Sequence, residues 1–362
     1  MSPARGKDPV VLLVSSNGAG MGHLTRLLAY QRRLPSGLRP HVVSLSQAVP
    51  VVSTYGVAWE YLPSKQATGM DSGEWRWLFA ERMVEVVQRL RPAVLVFDGT
   101  HPYAGLDEAI ASSPGTRAVW SRRAMWKERR NSHQLEKVSW FDAVLEPGDL
   151  SAPADRGATV GTTAHRVGPV TLVDRAECSE RAAARAALGL PADGPLALVS
   201  LGAGNINDTT DEVGAAVSAL SARGVGVCVT QAGIAEQARA ADDVHLVRHF
   251  PISEHLAAFD VAIAAAGYNS FHEHLRLGLP TLFVPNDETS LDDQVARAEY
   301  AAAQGWALCR RSLAGGGAQA AVDELLEHGP ELAERALAAD PGNGAADAAR
   351  LLADLALDGA RR

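Results

Sequence analysis

The chain is poor in the features that would assign it quickly to a disulfide-bonded, metal-centred, membrane or nucleic-acid-binding class. Its 362 residues include three cysteines, Cys178, Cys228 and Cys309, with no C-x-x-C pair. An odd, scattered set suggests neither a disulfide framework nor a structural zinc site, and the cytosol is the expected compartment. No Asp-x-Asp occurs, and no histidine cluster stands out, so no metal is expected. No long hydrophobic run occurs either. Met1 to Asp8 is basic and then acidic, and the apolar run Val10 to Val14 is too short for a signal-peptide core or a membrane span. Positive charge is the minority: 34 Lys and Arg against 42 Asp and Glu leave a formal net charge of -8, the wrong sign for a general nucleic-acid binder.

What is abundant is apolarity in short runs. Hydrophobic residues make up 47% of the chain, and its length suits two domains better than one. The runs are continuous rather than alternating, which marks strands buried on both faces of a parallel sheet. We predict strands at Val10–Val14, His41–Leu45, Ala93–Phe97, Arg117–Trp120 and Ala143–Leu145. A second series follows at Leu196–Ser200, Val225–Thr230, His245–Val247, Val261–Ile263, Thr281–Val284 and Trp306–Cys309, with helices such as Asp211–Arg223 and Asp292–Gln304 between. The expected fold is α/β, with two doubly wound, Rossmann-like domains facing each other across a cleft. Gly168-Pro169 interrupts regular structure, giving domains over 1–168 and 169–345 and a terminal helix over 346–362.

The densest chemistry lies at Gly267-Tyr-Asn269-Ser270-Phe-His-Glu273, followed by Gly278-Leu-Pro280 and Asp293-Gln294. A helix beginning near Ser270 would offer unpaired N–H groups and a positive dipole end to a diphosphate. Glu273 can accept hydrogen bonds from ribose hydroxyls, and Asp293 and Gln294 can hold sugar hydroxyls. Ser270-x-x-Glu273 also reads as a capping box needing no ligand. A second Gly-rich turn, Gly202-Ala-Gly204-Asn205, follows a buried strand where its amides can face the same diphosphate. Phe250 follows another strand in Arg248-His249-Phe250-Pro251.

The first domain opens with Gly18-Ala-Gly20-Met-Gly22-His23-Leu-Thr25-Arg26, a strand-to-helix turn that is not G-x-G-x-x-G. A nicotinamide-type dinucleotide fold is therefore a weak alternative. His23 suits a general base activating an acceptor hydroxyl, with Asp98 at the end of a later strand fixing its tautomer. The plainer alternatives are a helix-start contact for His23 and a turn cap for Asp98. Six of the seven tryptophans precede Arg166, and Trp75 lies in a stretch, Thr54 to Ala80, that can line an acceptor site. The run Arg122 to Arg130 is the only dense positive patch; it reads either as a solvated helix face or, through Arg123, as a phosphate contact.

Together these motifs resemble the GT-B glycosyltransferases, the superfamily of the plant and macrolide glycosyltransferases and of the enzyme that adds N-acetylglucosamine to the lipid-linked peptidoglycan precursor. Ala265-Ala266-Gly267 lacks the histidine that plant members carry before this motif, so the microbial branches are more similar. The resemblance implies that Glu273 holds the ribose, that Gly267, Asn269 and Ser270 surround the phosphates, that Asp293 and Gln294 hold the donor sugar, that Gly202, Gly204 and Asn205 form the donor loop and that Phe250 lies beside the base. It implies a His23–Asp98 dyad, with Gly20, Gly22 and Arg26 in the acceptor or phosphate loop, and a terminal helix returning to the first domain. The expected reaction is inverting, metal-independent transfer of a hexosyl or N-acetylhexosaminyl group from a UDP- or dTDP-sugar to a small-molecule or envelope acceptor. No cofactor is expected beyond that co-substrate, and a homodimer is an allowed assembly. Gly-x-Gly-His-x-x-Arg also resembles the UDP-sugar hydrolase of pseudaminic acid synthesis, where the matching His activates water; a catalytically silent sugar-nucleotide-binding protein is a third reading. The epimerases of the same fold fit less well, because nothing here is similar to their Gly-Thr-Arg-Pro opening.

Overall fold

A computed structural model describes residues 8–16, 21–202, 209–230 and 244–359. Seven parallel strands form the first sheet: β1 (Val10–Ser15), β2 (Arg39–Ser44), β3 (Ala58–Tyr61), β4 (Val94–Asp98), β5 (Arg117–Ser121), β6 (Ala143–Pro147) and β7 (His165–Val167), in the order β3-β2-β1-β4-β5-β6-β7. Six more, again parallel, form the second: β8 (Leu196–Ser200), β9 (Gly226–Val229), β10 (Val244–Leu246), β11 (Val261–Ala264), β12 (Thr281–Phe283) and β13 (Leu308–Cys309), in the order β10-β9-β8-β11-β12-β13. The sequence leads to this doubly wound α/β class because its central strands carry continuous apolar runs, broken mainly by polar residues at their carboxyl ends.

β1 shows why. Every one of its residues is buried, and alternate side chains enter different cores. Val11 and Leu13 pack with Leu24, Leu27 and Leu28 of the helix Gly22–Gln31. Leu12 and Val14 pack on the other face with Trp75, Phe79 and Met83 of the helix Ser72–Leu90. The second sheet repeats the device: Ala197 and Val199 face the helices Thr210–Ser221 and Ala318–Ala338, while Leu196 and Leu198 face Leu256 and Phe259. Two strands were not predicted. β3 has no apolar run, and β7 is three residues long with the sequence His-Arg-Val.

The packing runs past the expected boundary at 168. Val170, Leu172 and Val173 join the first core, and so do Ala345, Ala348, Leu352, Ala353 and Ala356 of the helix Ala345–Gly359. The chain thus passes between domains twice, and the two segments touch: Gly344 N–H donates to the Pro169 carbonyl at 2.8 Å. A Cβ on Gly344 would lie 2.1 Å from the Gly168 carbonyl oxygen, so glycine is required by the close approach. Among the described residues no helix is long and apolar enough to cross a membrane.

Leu352 is fully buried where the last helix meets the first sheet. Leu352→Ala is expected to cost about 2–5 kcal/mol, the usual range for a buried leucine truncated in a core. Chemical denaturation followed by tryptophan fluorescence reads the first domain, which holds six of the seven tryptophans; an unchanged midpoint would remove the helix from that domain's core.

Candidate active site

The carboxyl edges of both sheets open onto one cavity of about 1140 Å³. From the first domain it is lined by Gly22, His23, Arg26 and Arg123 along with Ser46, Gln47, Ser64 and Gln66; from the second by Gly202, Phe250, Gly267, Asn269, Ser270, Glu273, Asp292 and Gln294.

Asp98 ends β4, in register with Ser15 of β1 and Ser121 of β5, so its side chain emerges at the centre of the carboxyl edge. It is fully buried and makes four polar contacts. Arg26 donates from Nε to Oδ2 at 3.1 Å and from an Nη to Oδ1 at 2.5 Å, Ser121 Oγ donates to Oδ2 at 2.6 Å, and His23 Nδ1 lies 2.7 Å from Oδ1. Burial alone would raise this carboxyl, but Arg26 and the His23 hydrogen bond override it and hold it at about 2. The same Arg26 nitrogen is also 2.8 Å from His23 Nδ1. The carboxylate, which only accepts, matches a proton on Nδ1, whereas the guanidinium, which only donates, matches a lone pair there; with that guanidinium nitrogen already donating to Asp98 at 2.5 Å, the shorter Asp98 contact favours the Nδ1–H tautomer. Nε2, which has no partner among the described residues, then carries the lone pair. The turn cap considered for Asp98 is not what the side chain does.

His23 titrates below its ordinary value. Desolvation is the largest cause, Asp98 opposes it, and the positive charges of Arg26 and Arg123 assist it. The imidazole is therefore neutral at neutral pH, the form a general base needs. Arg26 was expected near phosphate or acceptor; it borders the cleft, but its guanidinium is committed to Asp98.

The opposite wall corrects the helix start. The helix runs Tyr268–Leu277 with Gly267 as its N-cap residue, so Ser270 is a third-position residue and no capping box forms with Glu273. A glycine has no side chain with which to cap, and Gly267, Asn269 and Ser270 all border the cavity. Asn269 Nδ2 donates to the Gly22 carbonyl at 3.3 Å, so the helix starts of the two domains touch. Glu273, one turn further in, is 8% exposed and has no ion-pair partner among the described residues. Burial raises its carboxyl to about 7, with Ser253 and Arg276 pulling only weakly the other way.

Three expectations are revised. Asp293 does not border the cavity: its carboxylate caps the helix Gln294–Ala303 by accepting from Ala296 N–H at 3.0 Å. Its neighbour Asp292 faces the cleft, with Gln294, whose Oε1 accepts from Asn286 N–H at 3.1 Å. Trp75 is a core residue, stacked on Phe79 with its indole N–H on the Pro63 carbonyl, because its helix turns that face to the sheet. The basic run is split: Arg122 is buried on Glu146, Arg123 pairs with Asp292 at 3.1 Å and Lys127 reaches Asp287, so these form no free phosphate clamp, while Arg129 and Arg130 are solvated. Gly202 borders the cleft in a left-handed conformation, whereas Gly20, Gly204 and Asn205 lie outside the described residues.

Two residues went unnoticed in the sequence. Arg297 is fully buried and pairs with Asp149 and Asp292 at 2.8 and 2.9 Å. Tyr268 reaches into the first domain, donating to the Gly148 carbonyl at 2.8 Å and accepting from Val170 N–H at 3.0 Å, with Arg26 at 5.1 Å from its ring centre. Arg123, Asp292, Arg297 and Asp149 form an alternating chain of charges across the domain interface.

Residues 229–352 match the family described as the glycosyltransferase family 28 C-terminal domain. Among solved structures the chain is similar to the spinosyn rhamnosyltransferase SpnG, at 16% identity over 96% of this chain and 100% of that one, with a TM-score of 0.62. It is similar to MurG of Acinetobacter baumannii, at 14% identity over 96% and 99% with a TM-score of 0.61. A putative UDP-N-acetylglucosamine 2-epimerase from Listeria monocytogenes is similar as well, at 14% identity over 94% of each chain with a TM-score of 0.64. No curated protein matches by sequence. The fold is thus GT-B, and the family 28 match is confined to residues 229–352.

Glu273 supplies a test of the site's electrostatics. A carboxyl near 4.5 when unfolded and about 7 when folded keeps its proton longer in the native state, so it lowers stability as pH rises through that window. Glu273→Gln, which mimics the protonated form, is expected to gain in melting temperature relative to the parent between pH 5 and pH 8. A difference independent of pH would show that the carboxyl titrates normally.

Proposed function

We propose that the protein is an inverting, metal-independent glycosyltransferase that uses a UDP- or dTDP-sugar. The observation that carries this reading is that His23, held by Asp98 behind it, and Glu273 with the uncapped helix start at Gly267 border the same cavity from opposite domains. The family 28 match to the second domain supports the donor side.

In this reading the ribose hydroxyls donate to Glu273, and the diphosphate lies at the start of the helix Tyr268–Leu277, where N–H groups and the dipole offset its charge. Gly202 lets backbone approach it closely. His23 Nε2 removes the acceptor proton as the acceptor oxygen attacks the anomeric carbon, while the bond to the diphosphate breaks on the other side. One displacement inverts the configuration. Asp98 stabilises the imidazolium formed, and Arg26 keeps Asp98 ionised and in place. With no Asp-x-Asp in the chain, the helix start, the glycine turn and Gln294 are the groups offered to the departing charge.

The first-domain wall favours a polar acceptor. Ser46, Gln47, Ser64 and Gln66 line it, and Trp75 is withdrawn into the core. That polarity also supports a second reading, hydrolysis of the nucleotide sugar, because water needs no apolar pocket.

Two measurements test these readings. Purified protein incubated with a panel of UDP- and dTDP-sugars is expected to release nucleotide only when a cell extract supplies acceptor, yielding a sugar-shifted product of inverted configuration. Release without acceptor would favour hydrolysis, and retained configuration would exclude the single displacement. His23→Ala is expected to lower turnover by about 10²- to 10⁴-fold, the range for a general base, while leaving nucleotide affinity largely intact. Near-normal turnover would remove His23 from the chemistry.

A further inference from the structure

We propose a divalent transition-metal site at the cleft rim, formed by His249, His255 and Glu254, that binds a zinc-like ion. It does not depend on the catalytic reading, and it corrects the expectation that the chain carries no histidine cluster.

His249 follows β10 and borders the cavity; Glu254 and His255 lie in the short helical segment Ile252–Ala258. Between them the chain turns through Pro251, so residues five and six apart face each other. The two Nε2 atoms are 3.1 Å apart, with ring centres at 4.5 Å. The candidate ligand atoms of all three residues lie within 4.8 Å of one another. Two Zn–N bonds of about 2.0–2.1 Å at a near-tetrahedral angle hold their nitrogens roughly 3.3 Å apart, so the imidazoles already stand at close to ligand spacing.

The chemistry of the pair favours an ion. Two imidazoles meeting through Nε2 share one proton: one ring donates and the other accepts. His255 is 7% exposed, and its Nδ1 has no hydrogen-bond partner among the described residues, so Nε2 is the only place where this buried ring makes a polar contact. An ion takes both Nε2 lone pairs, each ring proton then residing on Nδ1, and Glu254 adds a negatively charged ligand after a small side-chain movement. Three protein ligands leave one position open, and His249 places it beside the cavity. Imidazole nitrogen selects zinc, nickel, cobalt or copper over magnesium and calcium, which prefer oxygen.

The test is calorimetric titration of chelator-treated, full-length protein with zinc sulfate. The expected result is saturable binding at one ion per chain that excess magnesium does not displace. Loss of a ligand should cost at least as much as loss of an outer-shell partner, about 10- to 100-fold in affinity, so His249→Gln and His255→Gln should each weaken binding by that much. His249 is exposed, so its variant keeps the test sound even if the buried His255→Gln fails to fold. Absence of stoichiometric binding, or undiminished affinity in His249→Gln, would overturn the site.

Discussion

The cleft depends on a line of buried charges joining the two domains. Arg123 of the first domain pairs with Asp292 of the second, Asp292 with Arg297, and Arg297 with Asp149 of the first domain. Each charge has an opposite neighbour, which is what makes burial tolerable; a single missing partner typically costs about 3–5 kcal/mol because it strands a charge away from water. Ser151 Oγ on the Arg297 carbonyl and Leu150 N–H on His272 reinforce the same contact. The His23–Asp98 pair and the helix Tyr268–Leu277 face each other because this seam brings Tyr268 under Arg26.

Two carboxylates in the cleft show how neighbours decide the outcome of burial. Asp98 and Glu273 are both withdrawn from solvent, yet one is held at about 2 and the other raised to about 7. The difference is the guanidinium. Arg26 makes two contacts with Asp98, whereas Arg276, whose charge acts on Glu273, is turned to Asp340 and Thr171. Asp98 is thereby a fixed negative charge that orients His23, and Glu273 is a group whose charge state can respond to a ligand. The first arrangement suits catalysis and the second suits recognition.

Much of the fold was legible because the central strands carry their signal locally: five or six consecutive apolar residues need no knowledge of the rest of the chain. The edge strands β3 and β7 are short and partly polar, and only pairing with β2 and β6 defines them. At the site, His23, Asp98 and Glu273 were legible because strand ends and helix starts have recognisable sequences. Asp292 and Asp293 could not be told apart, since one residue of rotation decides which caps the helix and which enters the cleft. Ser270-x-x-Glu273 imitates a capping box one turn too late. Apart from the nearby Asp292, the partners of Arg297 and Tyr268 across the seam lie 31 to 148 residues away in sequence, a separation that no local pattern records.

The helix Ala345–Gly359 lies in the first domain's core although the whole second domain precedes it in the chain. During synthesis the first domain therefore emerges with the apolar face formed by Val11, Leu13 and Leu28 lacking its cover, and it waits through some 180 further residues for that cover to arrive, about 10 to 40 seconds at ordinary elongation rates. The nascent chain must hold this surface partly open or shield it with a chaperone until the last helix arrives.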